Sequence, residues 1–109
     1  MEGNIFAEKV KFLFRKGNIF WQRHSIQRII ERNFTTSEIR QIVLSGDIIE
    51  YYPEAKPLPS GLFYGCASNR TVHVVIALNI YEKMVYVITV YEPDLDHFEL
   101  DLKIRKKNE

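Results

Sequence analysis

An α+β fold is predicted: two to three N-terminal helices packed on one face of a four-stranded antiparallel sheet. Two observations predict it. As far as Gly46, apolar residues recur every three or four positions. From Asp47 onward they fall into short β-branched and aromatic runs separated by polar connections. The chain has 109 residues, 46% hydrophobic and 27% charged, which suits one domain with a modest core and excludes disorder or a fibrous repeat. Seven Phe, six Tyr and one Trp promise a core rich in aromatics.

The elements follow in order. Phe6, Val10, Leu13 and Phe14 define an amphipathic helix over about 5–16, stopped at Gly17-Asn18. A second helix is predicted over about 22–32, with Ile26, Ile29 and Ile30 inward. Thr35-Thr36-Ser37-Glu38 reads as a capping sequence for a third, which buries Ile39, Ile42 and Val43 and ends at Gly46. Strands are predicted over 47–52, 62–67, 71–79 and 84–91. Pro53, Pro57 and Pro59 force an extended link after the first, and the tail to Arg105 reads as a short helix or an edge segment.

Net charge is only +1, but it is unevenly spread. Residues 1–46 carry eight basic side chains against four acidic ones, 47–102 carry three against nine, and 103–109 carry four against one. A basic first half and tail around an acidic middle would suit a polyanionic partner. The single cysteine, Cys66, excludes a disulfide framework and points to a reducing, cytoplasmic location. Lys9, Lys11 and Arg15 interrupt the N-terminal apolar residues, so neither a signal peptide nor a membrane span is expected.

Polar groups converge in two places. His24, Arg28 and Arg32 lie four apart and form one ridge of the second helix. The ordinary reading is a solvated face; the sharper one is a phosphate clamp, since guanidinium forks bind phosphate and imidazole titrates near neutrality. If Leu78 pairs with Met84, His73 lies across from Thr89 and Thr71 across from Tyr91. His73, Thr89 and Tyr91 then share a sheet face with Val75 and Val87, with Gly65 open beside His73. The opposite face would carry Val72, Val74, Ile76, Leu78, Tyr86, Ile88 and Val90 and receive the helices. A lone strand histidine is more often a hydrogen-bonded structural residue than a catalyst. Cys66 is read as an inert core thiol. His24, His73 and His97 lack metal-ligand spacing, so neither a metal nor a cofactor is expected.

The string His24 to Phe34, then Ser37-Glu38-Ile39, Gly46 to Glu50, Leu58-Pro59-Ser60, Val72 to Val75 and Thr89 to Asp94, resembles the domain of unknown function 4258 family. The resemblance covers about 21–105, with residues 1–20 read as a variable N-terminal helix ahead of a toxin-like domain over 21–109, the whole forming one globular unit. It implies a RelE-like toxin of the barnase, EndoU, colicin and RelE class of ribonucleases, with a curved antiparallel sheet. The implied activity is metal-independent cleavage of mRNA, on or off the ribosome, by transesterification through the 2′-hydroxyl. His24 and His73 would be the acid/base pair and Tyr91 an orienting group, with Arg28, Arg32 and Thr89 holding substrate. The implied partner is an antitoxin, in some members a small zinc-finger protein, and an exposed sheet edge would suit strand addition or a homodimer. A non-catalytic protein- or RNA-binding module of the same fold is the alternative.

Overall fold

The computed structural model describes residues 2–107. In chain order the elements are α1 (Glu2–Lys16), β1 (Ile19–Trp21), α2 (Arg23–Glu31), α3 (Thr36–Ser45), β2 (Asp47–Tyr52), β3 (Ser60–Ala67), β4 (Arg70–Asn79) and β5 (Met84–Tyr91). The capping box before α3 forms as expected. Thr35 Oγ1 accepts from the Glu38 amide, and the Glu38 carboxylate accepts from the Thr35 amide.

The sheet has five strands, not four, in the order β1-β5-β4-β3-β2, and it is mixed. β1 runs parallel to β5, pairing Ile19 with Val85 and Trp21 with Val87, and the other pairs are antiparallel. Three residues are too few to show a period, so β1 reads as a connection in the sequence.

The predicted register is also corrected. The β3–β4 turn is two residues, Ser68 and Asn69, at φ 51° and 62°, the left-handed pair that a tight hairpin requires. It sets Tyr64, not Gly65, opposite His73. The β4–β5 loop pairs Asn79 with Met84, and a bulge shifts the register between Val75 and Ile76, so His73 meets Tyr91 and Val75 meets Thr89. That bulge turns Val87 onto the helix side and leaves Tyr86 and Ile88 on the other side, the reverse of the predicted faces.

The helices cover one face. Phe6, Val10, Leu13 and Phe14 of α1 and Ile39, Ile42 and Val43 of α3 pack on Phe63, Val72, Val74, Ile76, Val85, Val87 and Val90. Each such side chain contributes about 1.5–3 kcal/mol by leaving water. α2 is rotated from its expected setting. Ser25 and Ile29 face inward while Ile30 is 68% exposed, and the Ser25 hydroxyl satisfies itself on the Gln22 carbonyl. Among the described residues, no helix is long and apolar enough to cross a membrane.

Two glycines allow α3 to lie against β3. A Cβ at Gly46 would stand 2.1 Å from the Tyr64 carbonyl oxygen, and one at Gly65 would stand 2.7 Å from Ile42 Cγ2 and 3.0 Å from the Ile42 carbonyl oxygen. Gly65 is therefore a packing contact on the helix side, not an open spot beside His73. Gly65→Ala is expected to destabilise the domain by about 1–3 kcal/mol, the cost of overpacking a tight contact. Urea denaturation measures it, and an unchanged midpoint would contradict the packing.

Candidate functional site

The face of the sheet turned away from the helices is built by alternation. Tyr64 on β3, His73 on β4 and Tyr91 on β5 project from adjacent positions across three strands. One step along, Glu50 of β2 pairs with Leu62, Leu62 with Val75, and Val75 with Thr89. This face is covered in part. After Glu92-Pro93 the chain turns back as an irregular strap, neither helix nor edge strand, held by one bridge between Phe98 and Arg105.

The strap closes over His73, which is fully buried. Phe98 sets its ring edge-on to the imidazole, centroids 4.6 Å apart. Nε2 lies 2.7 Å from the Leu102 carbonyl oxygen and Nδ1 lies 3.1 Å from the Tyr91 hydroxyl. A carbonyl oxygen only accepts, so Nε2 carries the proton, and Nδ1 of the neutral ring accepts from the phenol. Burial pushes the imidazole pKa below its ordinary value, against the Leu102 hydrogen bond, which works to raise it. Burial likewise holds the Tyr91 phenol above the usual tyrosine range, and the nearby Arg105 charge partly offsets this.

The strap also brings in cations. The Arg105 guanidinium makes two hydrogen bonds to the Glu50 carboxylate, at 3.0 and 3.2 Å, and lies over the Phe98 ring. The Glu50 bonds raise the Arg105 pKa further. Tyr52 donates to the same carboxylate. Lys103 lies over the Tyr64 ring and 3.8 Å from Asp47. Carboxylate, guanidinium, imidazole and phenol thus meet on one surface. Beside them an open cleft of about 440 Å³ lies between Lys56-Pro57-Leu58 and Tyr86, and Val75, two positions from His73, forms part of its wall.

The other predicted site residues lie apart from this group. His24 is exposed on the first turn of α2, with no hydrogen-bond partner among the described residues. Arg28 pairs with Glu31 at 3.7 Å, and Arg32 reaches Glu92 at 3.8 Å. Glu92 also binds Arg70 at 2.6 Å, and Arg70 stacks on Phe34, so the ridge's last guanidinium joins a network tying α2 to β4 and β5. Those Arg70 bonds hold the Glu92 carboxyl below the usual carboxylate range. His73 and Tyr91 are brought together, and half-buried Thr89 shares their face, but His24 forms no common group with them.

The structure adds Glu50 and Arg105, which the sequence reading missed. Both look like ordinary surface charges, and only the strap's return path joins residues 55 positions apart. Cys66 is not the core thiol expected: it alternates with Leu62 and Tyr64 on the strap side and is exposed, 3.9 Å from the Thr71 hydroxyl. No three His, Cys, Asp or Glu side chains among the described residues are placed to share a metal ion.

Fold and face together define a small helix-backed sheet domain whose polar groups gather on the strap-covered side. Residues 21–92, well over half of the chain, match the family model described as Domain of unknown function (DUF4258), and the chain belongs to that family. No curated protein matches the chain, and no solved structure matches it.

The buried imidazole has a measurable consequence. Unfolded, His73 takes a proton below about pH 6.5, its ordinary pKa, whereas folded it does so only at lower pH. Its contribution to stability is therefore full above that value and is lost as pH falls below it. The melting temperature of the wild type is expected to fall more steeply than that of His73→Gln between about pH 7 and pH 5. Parallel curves would show that the ring is not held neutral.

Proposed function

We propose that this domain is the toxin component of a toxin–antitoxin module, a RelE-like endoribonuclease that cleaves mRNA without a metal ion. The observation that carries the reading is the convergence of Glu50, His73, Tyr91 and Arg105 beside an open cleft, with His73 and Tyr91 among the residues that the family resemblance singles out. Those four groups match what transesterification needs. Glu50 takes the proton of the 2′-hydroxyl, whose oxygen attacks phosphorus. Arg105 stabilises the charge gathered on the phosphoryl oxygens. His73, once charged, gives its Nε2 proton to the departing 5′-oxygen. The products are a 2′,3′-cyclic phosphate and a 5′-hydroxyl. Tyr91 holds the ring through Nδ1, and half-buried Thr89 and Arg28 with the exposed His24 extend the surface along which RNA would lie.

RNA reaches His73 only when Phe98 and Leu102 give up their places on the ring. Lifting them relieves the burial that keeps the imidazole neutral, and an adjacent phosphate then favours its charged form. The antitoxin would act as the cellular counterweight, and the cytoplasm would hold both.

A second reading has its own support. His73 is fully buried with both ring nitrogens occupied, as a structural histidine would be. On that reading the domain binds RNA or protein without cutting.

Cleavage of an mRNA substrate in EDTA separates the two. Wild-type cleavage is expected to rise in Phe98→Ala and to fall by about 10²–10⁴-fold in Glu50→Gln and His73→Ala, the usual scale of general acid–base steps. Circular dichroism checks that each variant folds. RNA binding with no cleavage, in wild type and Phe98→Ala alike, would favour the non-catalytic module.

A further inference from the structure

Away from the His73 face, a groove runs between α1 and the β4–β5 hairpin. Its two sections, about 430 and 700 Å³, share Ile5, Lys9, Leu78 and Ile80. The floor is apolar and open to water: Ile5 is 52% exposed, Phe12 54% and Ile80 46%. These side chains are not needed for the core, because α1 already buries Phe6, Val10, Leu13 and Phe14 on its other side. Around the larger section stand Lys9, Arg15, Lys16 and Lys83 against one carboxylate, Glu8. None of the four cations forms an ion pair among the described residues. α1 also precedes the part of the chain that matches the family, so the groove is built on an element outside that match.

We propose that this groove is the docking site for an acidic amphipathic segment of a protein partner. Its apolar side chains would cover Ile5, Phe12 and Ile80, and its carboxylates would meet the four cations. An apolar channel whose rim carries four cations against the two carboxylates Glu2 and Glu8 has the form that receives such a segment: burial supplies affinity, and the net positive rim sets orientation and rate of encounter. Nucleic acid fits less well, since base stacking needs rings and cations along one track. Phe12 is the one aromatic ring beside the cations of the larger section, whereas Tyr51 and Tyr81 lie in the other section with Glu2. A bilayer contacts protruding apolar side chains, whereas this floor is concave.

The test selects peptides from a displayed random library on the full-length protein and measures the best by fluorescence anisotropy. Enriched peptides are expected to be net acidic with several aliphatic or aromatic anchors. Their affinity should drop roughly tenfold or more in Phe12→Asp and in Lys9→Glu with Lys16→Glu, and stay unchanged in Ile104→Asp on the strap. Phe12 and the lysines are exposed, and circular dichroism confirms that the variants fold. The proposal is overturned by no enrichment, by enriched peptides that ignore the groove substitutions, or by a groove that takes oligouridylate or phosphatidylserine vesicles in place of peptides. Leu58 lines both the groove's smaller section and the cleft beside His73, but none of the substituted groove residues lies on that face, so failure here leaves the ribonuclease reading standing.

Discussion

A buried imidazole tolerates no idle nitrogen, and that requirement organises the strap side of this protein. His73 sits in the middle of the sheet, where alternation must put it on one face or the other. On the helix side it would meet a core of aliphatic and phenylalanine side chains. On the other side Tyr91 supplies a hydroxyl from the neighbouring strand, but the second nitrogen needs an acceptor that no sheet position offers. The Leu102 carbonyl provides it, and this brings the whole return segment down on the face. Phe98 then finds an apolar seat, and Arg105 arrives within reach of Glu50. One polar atom's need for a partner thus fixes where the charged groups gather.

The same constraint gives the site its two-sided character. The contacts that satisfy His73 are also those that shut it off from solvent, so structural integrity and access to the ring compete on one surface. The open cleft beside Val75 and Tyr86 is not sealed in this way.

Much of this was legible in the sequence, for physical reasons that can be named. The helices showed because each has a strong one-sided apolar repeat, and α3 also because Thr35 and Glu38 spell a capping box. β3 to β5 showed because β-branched runs are long and cleanly bounded. β1 did not, since three residues have no period. The facing of Tyr86, Val87 and Ile88 was lost to one inserted residue, which reverses the side chains between the turn and the bulge while Thr89, Val90 and Tyr91 keep their expected faces. In α2, Ser25 took an inward position that hydropathy assigns to isoleucine, because a hydroxyl bonded to its own turn is no longer costly to bury. That His73 and Tyr91 share a face followed from strand alternation, but their direct pairing did not, because the expected register set His73 opposite Thr89. Glu50 and Arg105 could not be placed beside them, because nothing in their neighbourhoods marks the path by which the tail returns.

β1 has a consequence for how this domain meets other chains. By lying along β5 it leaves a three-residue rim on one margin of the sheet. The other margin is β2, kinked by a bulge at Ile49 and followed at once by Pro53. Neither margin offers a long straight row of free amides and carbonyls on which a foreign backbone could template itself. Addition of a foreign strand by main-chain repetition is thereby disfavoured at both margins, which leaves charge and shape at the side-chain surfaces as the means by which another chain would be recognised.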